Sequence, residues 1–295
     1  MPELPEVAAL TRDLRHRLGV DGDAEPRAIV RVHPVAISAL KTFDPSPDAL
    51  QGLLVDDVVR HGKFLDISAG GLHLVIHLAR AGWLRWNENM SPTPPKIGKG
   101  PLAFRVVLDD DSGFDLTEAG TRKGLAVHVV RDPTEVRGIA TLGPDPLDAS
   151  FTPELLGEIL RGAGRAQVKG VLRQQGTIAG IGNAYSDEIL HVARMSPFKP
   201  ASTIADDPEL LASLYAALEE TLRDAIARTD GIAAADLKRE KKAGLRVHGR
   251  TGQPCPVCGT AVAEVSFADS SLQYCPTCQT GGKPLADRRT SKFLK

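Results

Sequence analysis

Apolar residues recur at helical spacing near the start of the chain. Val7, Leu10, Leu14 and Leu18 follow Pro5 at intervals of three or four residues, which places them on one face of an α-helix. A proline close to the first of these positions is typical of the first turn of a helix. We therefore predict that one helix opens the protein.

The pattern changes to short strand-like runs between about residue 55 and residue 142. Clusters of turn-forming residues such as AGG and DDDSG separate these runs, which is typical of strands joined by tight turns. This region is therefore predicted to be an antiparallel β domain. Its candidate strand regions are Val58–Ile67, Leu72–Leu78, Ala103–Leu108 and Leu125–Val130.

A proline-rich stretch, residues 143–154, introduces helical patterning that lasts to about residue 230. Pro197 and Pro200 divide this region, because proline disrupts the interior of a helix. Alternation of apolar and polar residues returns at residues 261–267, as in a short hairpin. We predict an α+β multidomain chain, with domains at residues 1–142, 143–235 and 236–295.

Length and composition are those of an ordinary folded protein. The chain has 295 residues, of which 42% are hydrophobic and 25% charged, enough for a sizeable core. No apolar run of about 18 residues occurs, and the start MPELPEV lacks the basic and apolar parts of a signal peptide. The sequence therefore predicts a cytoplasmic protein without a membrane partner, and nothing in it requires more than a monomer.

Charge is distributed unevenly along the chain. The net charge is −1, yet residues 236–295 contain 11 Lys and Arg against 5 Asp and Glu. A basic end region favours a phosphate-binding surface, because phosphates attract Lys and Arg. On charge alone, a solvated and irregular basic tail explains the pattern equally well.

The cysteines form a metal-binding pattern. Two CxxC pairs separated by 16 residues allow four thiolates to converge on one Zn²⁺ ion, and a closed site of this kind is structural. Disulfides are disfavoured in a cytosolic protein, and a redox CxxC would not need a duplicate. One structural zinc ion is therefore predicted. Its ligands are Cys255, Cys258, Cys275 and Cys278.

Four separated segments together point to a family. They are MPELPE at the start, HGKFL at 61–65, IAGIGNAYSDEIL at 178–190, and VHGRTGQPCPVCG continuing to YCPTCQ at 247–279. In this order they closely resemble the formamidopyrimidine-DNA glycosylase and endonuclease VIII family of DNA repair enzymes. The resemblance spans residues 2 to 279.

The resemblance implies a fold and an activity. The expected fold is an N-terminal β-sandwich, a helix–two-turn–helix domain and a C-terminal zinc finger with its knuckles at residues 255–278. The expected partner is double-stranded DNA containing damaged bases or abasic sites, held in the cleft between the halves. The expected activity is bifunctional: excision of an oxidised base, then cleavage of the abasic site by β-elimination.

The family chemistry starts at the N-terminal amine. The resemblance implies that Met1 is removed, so that the amine belongs to Pro2. An α-amino group has a pKa of about 8, against about 10.4 for lysine, so a useful fraction is neutral and nucleophilic near neutral pH. The family pattern assigns Glu3 to protonate the sugar ring oxygen and makes Glu6 the second carboxylate, which tunes or relays protons.

Further residues are expected to contact DNA phosphates. The family match makes Lys63 a phosphate contact near the lesion that assists β-elimination, whereas the sequence alone would favour a solvent-facing strand lysine. The glycines of IAGIGNAYSDE permit a tight turn, in which backbone N–H groups and Asn183 bind phosphate at a helix N-terminus. Arg165 and Lys169 lie upstream of this turn and are expected to contact the DNA backbone.

Two segments depart from the family members directed at guanine. Those members carry HLGM-type and DPRRFG-type segments, whose Met, Arg and Phe fill the space left by the flipped nucleotide. This chain has HLAR at 77–80 and GTRKG at 120–124. Arg80 therefore takes the Met position, and Arg122 is the substitute for the family's arginine. His77 is given no role, and the preferred base is left open.

The C-terminal region departs as well. Family members place an arginine tied to δ-elimination five residues before the third cysteine, and here this position is Ser270. Arg250 or the tail would have to compensate. The segment of about residues 230–246 is short for the loop that covers oxidised guanine. The tail extends past the family's usual end and could add nonspecific DNA affinity or be disordered; its basic residues are Lys283, Arg288, Arg289, Lys292 and Lys295.

Two function classes remain in competition. Retention of both Pro2 and Glu3 favours an enzyme, because a pure binding protein has no use for a secondary amine beside a carboxylate. Ser270 and the missing void-filling residues favour a non-catalytic protein that binds abasic or damaged DNA. A general zinc-ribbon module would leave the N-terminal match unexplained. The enzyme is the preferred hypothesis.

Overall fold

The computed structural model describes residues 1–22, 25–98, 100–268 and 270–287. The chain divides into two compact units, each assembled from two stretches of sequence. The first unit contains Met1–Leu142 and Thr229–Lys238, and the second contains Gly143–Arg228 and Arg239–Lys295. The three domains expected from the sequence stay a prediction.

The first unit is a β domain preceded by one long helix. Its helices and strands are α1 (Leu4–Arg17), β1 (Ile29–Pro34), β2 (Val55–His61), β3 (Phe64–Ala69), β4 (Leu72–His77), β5 (Gly82–Asn87), β6 (Leu102–Leu108), β7 (Gly113–Glu118), β8 (Ala126–Val130) and α2 (Arg137–Ala140). Short 3₁₀ turns occur at Ile37–Ala39, Pro47–Leu50 and Pro133–Glu135.

These strands form the predicted sandwich. Within the described residues, two four-stranded antiparallel sheets have the strand orders β1-β6-β7-β5 and β2-β3-β4-β8. Phe104 and Leu116 from the first sheet share one hydrophobic core with Leu65 and Leu74 from the second. Each strand thus directs alternate apolar side chains between the sheets. The α+β fold class and the β-sandwich are confirmed.

Helix α1 confirms the first prediction from the apolar pattern. It begins at Leu4 with Glu3 as its N-cap residue, so Pro5 occupies the second helical position. Leu10, Leu14 and Leu18 are completely buried in the core of the first unit. The helical spacing of these residues is therefore explained by packing against the sandwich.

The strand-like runs of the sequence account for only part of the observed strands. The run Val58–Ile67 is a hairpin rather than one strand, because the chain turns at Gly62, which has a φ of +56°. Strands β1, β5 and β7 were not predicted. The charged residues in β5 and β7, such as Arg85 and Asp115, interrupt the apolar signal that a strand prediction needs.

The segment Thr229–Lys238 belongs to the core of the first unit, although it follows the helical region in sequence. Ala234 and Leu237 are 7% and 1% exposed and pack in the same core as α1 and the sheets. The indole Nε1–H of Trp83 donates to the Ala234 carbonyl at 3.1 Å. The ammonium of Lys238 lies 4.4 Å from the centre of the Trp83 ring, within cation–π range.

The second unit contains the predicted helices and the cysteine hairpin. Its elements are α3 (Pro153–Ala163), α4 (Val168–Arg173), α5 (Asn183–Val192), α6 (Ala201–Ala205), α7 (Pro208–Arg228), most of α8 (Leu237–Gly244), β9 (Ala263–Ser266), β10 (Ser271–Tyr274) and α9 (Pro276–Thr280). Pro197 and Pro200 lie between α5 and α6, as expected from their effect on helices.

The hairpin between the cysteine pairs is confirmed. Strands β9 and β10 are antiparallel, and Leu272 lies opposite Val265. Both side chains are 2% exposed and pack with Tyr274 in a small apolar cluster. No helix in the described residues has the length and apolar character needed to span a membrane. Among the basic tail residues, Arg288, Arg289, Lys292 and Lys295 lie outside the described residues.

The packing of Thr229–Lys238 leads to a stability prediction. Leu237→Ala is expected to lower the free energy of unfolding of the first unit by about 2–5 kcal/mol, because it removes buried methyl groups and leaves a cavity. Both tryptophans of the chain, Trp83 and Trp86, lie in the first unit, so their fluorescence during urea unfolding measures this effect. Lys242→Ala, at an exposed position on the same helix, is the control. Equal midpoints for both variants would show that the segment is not part of the core.

Candidate active site and metal centre

The predicted nucleophile and both carboxylates lie at the start of α1. Pro2 is buried, and Glu3 and Glu6 are 2% and 1% exposed. The Glu6 carboxylate accepts a hydrogen bond of 2.8 Å from the backbone N–H of Glu3. This bond satisfies one of the N–H groups that a helix leaves unpaired at its first turn. It also fixes the Glu6 carboxylate beside Glu3, the residue that follows Pro2.

Lys63 lies in the turn between β2 and β3 and is 8% exposed. Lys63 is therefore not a strand residue that faces solvent. The next residue, Phe64, lies opposite His77 in β4, and the two rings are 4.6 Å apart. Burial and the positive charge of Lys63 lower the pKa of His77 to about 4. The imidazole beside Lys63 is therefore neutral at physiological pH.

Arg122 is exposed in the loop between β7 and β8. Glu118, a buried residue at the end of β7, fixes this loop: its Oε1 accepts hydrogen bonds from the backbone N–H groups of Gly124 at 2.8 Å and Leu125 at 3.1 Å. Sequence reasoning missed Glu118, because a lone glutamate at a strand end carries no motif.

The turn that carries Arg80 depends on local backbone geometry. Ala79 adopts a left-handed conformation with a φ of +51°, which is unusual for a residue other than glycine. A Cβ atom at Gly82 would lie 2.1 Å from the carbonyl oxygen of Leu78, so only glycine fits there. Arg80, between these two positions, is exposed.

Lys169 is buried in the second unit rather than exposed. Its residue is 4% exposed, and its ammonium contacts the Asp187 carboxylate at 2.7 Å, the Ser186 hydroxyl at 2.6 Å and the Asn183 carbonyl at 3.0 Å. These three partners all belong to α5. Lys169 therefore joins α4 to α5, and its DNA contact stays a prediction.

Asn183 is the first residue of α5, after a turn that Gln175 stabilises. The Gln175 amide accepts from the Gly180 N–H at 3.0 Å and donates to the Ile181 carbonyl at 2.7 Å. The side-chain amide of Asn183 donates to the Ser271 carbonyl at 2.8 Å, so it holds the cysteine hairpin. Arg165 is exposed between α3 and α4. The phosphate contacts of Asn183 and Arg165 stay predictions.

The four cysteines converge as their spacing predicted. Their sulfur atoms all lie within 4.8 Å of one another, with 3.9 Å between Cys255 and Cys278 and 3.4 Å between Cys258 and Cys275. Four thiolates at 2.3 Å from a tetrahedral zinc ion would be about 3.8 Å apart. The donor set therefore fits one metal ion, and all four positions are filled by protein.

Helix α5 holds the segment before the first knuckle. The Glu188 carboxylate accepts hydrogen bonds from the N–H groups of Arg246 at 2.6 Å, Val247 at 3.0 Å and His248 at 2.8 Å. Burial raises the pKa of Glu188, and these three hydrogen bonds oppose the shift. No sequence motif indicates this role of Glu188, because its partners lie about 60 positions away along the chain.

Arg250 precedes the first cysteine pair, and Ser270 lies between β9 and β10. Arg250 donates to the Leu245 carbonyl at 3.2 Å and to the Gln253 side chain at 3.1 Å, so it supports the approach to the first knuckle. The carbonyl of Ser270, in the turn of the hairpin, accepts from the Phe267 N–H at 2.7 Å. A DNA contact of Arg250 stays a prediction.

Family models match most of the chain in three blocks. Residues 1–127 match the formamidopyrimidine-DNA glycosylase N-terminal domain, and residues 142–236 match the H2TH domain of the same glycosylase. Residues 252–281 match a zinc finger found in FPG and IleRS. A formamidopyrimidine-DNA glycosylase of Symbiobacterium thermophilum is 34% identical over 98% of this chain and 93% of its own length.

The chain belongs to the formamidopyrimidine-DNA glycosylase family.

A second relative lies in Mycobacterium tuberculosis. This protein, described as an uncharacterized formamidopyrimidine-DNA glycosylase-like protein, is 58% identical over 52% of this chain and 94% of its own length. It matches the present chain more strongly over a shorter region than the family member from Symbiobacterium does.

Solved structures of the family share the fold. MutM (Fpg) from Thermus thermophilus is 30% identical, with a TM-score of 0.76 over 96% of this chain and all of that one. Fpg of Lactococcus lactis in complex with DNA containing an abasic site is 23% identical, with a TM-score of 0.79 over 94% of this chain and 99% of that one. The latter likeness shows the fold alone. The helix–two-turn–helix and zinc-finger architecture expected from the sequence is confirmed.

The buried position of Lys169 generates a prediction. Lys169→Met is expected to lower the free energy of unfolding of the second unit by about 3–5 kcal/mol, because it leaves the Asp187 carboxylate buried without its cation. The measurement is the loss of helical circular dichroism in urea. Arg165→Met, at an exposed position nearby, should leave the midpoint unchanged. An unchanged midpoint for Lys169→Met would show that the ion pair with Asp187 does not stabilise the second unit.

Proposed function

We propose that this family member excises damaged, oxidised bases from double-stranded DNA and then cleaves the abasic site by β-elimination. The observation that carries the proposal is the start of α1, where Pro2, Glu3 and Glu6 are buried together and a hydrogen bond fixes Glu6 to the Glu3 backbone. Removal of Met1, which is 46% exposed, would give Pro2 a free secondary amine.

The first chemical step replaces the base by the enzyme. The Pro2 nitrogen forms a bond to C1′ of the deoxyribose, the bond from C1′ to the damaged base breaks, and the base leaves with the proton that the attacking N–H group gives up. Glu3 donates a proton to the ring oxygen as the sugar opens, and the nitrogen lone pair then forms a C=N⁺ bond. A secondary amine has no second proton to lose, so this imine is always cationic.

The second step breaks the DNA strand. The cationic imine withdraws electrons, so a proton leaves C2′ and the electron pair of that C–H bond forms a double bond as the C3′–O bond breaks. The 3′ phosphate is the leaving group. Lys63 is buried in the turn between β2 and β3, beside a neutral His77, and its positive charge would bind the phosphate and stabilise the developing negative charge. Glu6 would relay protons next to Glu3.

The metal centre supports DNA binding and takes no part in the chemistry. The predicted Zn²⁺ ion would be held by Cys255, Cys258, Cys275 and Cys278, and a closed four-thiolate site fixes a hairpin that is too small to fold alone. The DNA contacts proposed with it are Arg122 in the β7–β8 loop and Arg165, Lys169, Asn183 and Arg250 in the second unit. Among these, Arg122 and Arg165 are exposed, which favours them as the phosphate contacts.

The N-terminal residues generate a paired mechanistic prediction. Pro2→Gly keeps a primary amine but loses the rigid ring and the obligate positive charge of the imine, so cleavage of a preformed abasic site should slow by at least about tenfold. Glu3→Gln removes the proton donor, so excision of an intact damaged base should fall by about 10²–10⁴-fold. Gel analysis of labelled duplexes measures both rates. Full activity of both variants would contradict the assigned roles.

Borohydride trapping is the direct test of the proposed function. Purified protein is mixed with a duplex containing one abasic site, the imine is reduced, and the adduct is mapped by peptide mass spectrometry. An adduct at Pro2 is expected. Tight binding of the same duplex without any adduct would contradict the lyase activity and favour a protein that binds lesions without turnover.

A further inference from the structure

One face of α5 carries a row of polar side chains that reach the zinc module, which we define as residues 246–279. Asn183, Asp187 and His191 are spaced four apart, so they lie on the same face of the helix. Asn183 donates to the Ser271 carbonyl, and Asp187 accepts from the Gln273 N–H at 3.2 Å and from the His248 ring at 2.7 Å. The third member of the row contacts a cysteine.

His191 contacts a metal ligand directly. Its Nε2 lies 3.3 Å from the sulfur of Cys255, and the residue is 2% exposed. A thiolate carries no proton, so in a metal-bound state Nε2–H must be the donor and the sulfur the acceptor. In the described part of the chain, the other ring nitrogen, Nδ1, is buried without a hydrogen-bond partner.

Packing alone does not explain a histidine at this position. An apolar side chain would fill the same space without burying an unpaired nitrogen, which costs free energy. The hydrogen bond to Cys255 is the one feature that an apolar residue could not supply. Hydrogen bonds of this kind orient a ligand and stabilise its negative charge, and their loss commonly reduces metal affinity by about 10–100-fold.

We propose that His191 is a positioning residue of the metal centre and that α5 couples metal binding to DNA binding. His191 fixes the Cys255 thiolate near the C-terminal end of α5, while Asn183 lies at its N-terminal end, where phosphate binding is proposed. This coupling rests on the proposed function. Because coupling between two binding sites is reciprocal, the metal strengthens DNA binding and bound DNA strengthens metal binding by the same factor.

Two substitutions separate the hydrogen bond from packing. His191→Phe fills the space but has no donor, whereas His191→Gln places an amide N–H close to the position of Nε2. His16→Phe, at an exposed position on α1, is the matched control. Zinc affinity is measured by competition with a chromogenic chelator on the full-length protein, and the thiolate-to-metal charge-transfer band is recorded after substitution with Co²⁺.

The positioning role predicts a graded result. His191→Phe should bind zinc at least about tenfold more weakly than the unmodified protein, and its charge-transfer band should move to lower energy, because a thiolate without its hydrogen bond gives up electrons more easily. His191→Gln should stay within about threefold, and His16→Phe should be unchanged. If Phe and Gln gave the same affinity and the same band, the role would be wrong. Should His191→Phe fail to fold, an unshifted affinity in His191→Leu would equally overturn it.

The coupling is tested with a duplex that contains a tetrahydrofuran abasic-site analogue. Bound duplex should raise the equilibrium zinc affinity of the unmodified protein, measured by the same chelator competition, at least about threefold and should have little effect on His191→Phe. An equal effect on both proteins would overturn the coupling. Borohydride trapping of His191→Phe at saturating zinc keeps the two proposals apart: an adduct at Pro2 leaves the proposed function standing whatever the zinc experiments give.

Discussion

Buried carboxylates on one helix hold the second unit together. Asp187 pairs with Lys169 of α4 at 2.7 Å, and Glu188 accepts three backbone N–H groups of the segment that leads to the first knuckle. Each carboxylate is costly to bury by itself, so each is stable only while its partners stay in place.

The first unit also contains buried carboxylates, at its N-terminus. Glu3 and Glu6 are almost completely buried, and a hydrogen bond within the first turn of α1 keeps Glu6 in one position. Lys63 is held in a tight hairpin turn, and Glu118 fixes the loop that carries Arg122. The first turn of α1, the hairpin turn and the β7–β8 loop therefore position the residues proposed for catalysis and DNA binding. Reactive side chains need such a fixed position, because catalysis depends on their geometry.

This chain matches its family in three blocks but departs from the expected pattern at a few residues. The three family blocks establish which family the chain belongs to, while Arg80, the GTRKG loop and Ser270 depart from the pattern expected of its guanine-directed members. The packing of Leu237 and Ala234 in the core of the first unit gives the short segment after α7 a structural role. The departures at Arg80, the GTRKG loop and Ser270 bear on the proposed choice of base and the proposed elimination step, whereas Pro2, Glu3 and the cysteines match the family pattern.

The sequence by itself determined the features that depend on spacing along the chain. Helical periodicity predicted α1, the CxxC pairs predicted the metal site, and four separated motifs indicated the family. Only the tertiary structure decided the features that depend on distant partners. Lys169 was expected to contact DNA and is buried against α5. Glu188 accepts backbone N–H groups from residues 246 to 248, and His191 contacts Cys255 across 64 positions. A side chain's partners are set by how elements pack, and periodicity carries no information about them.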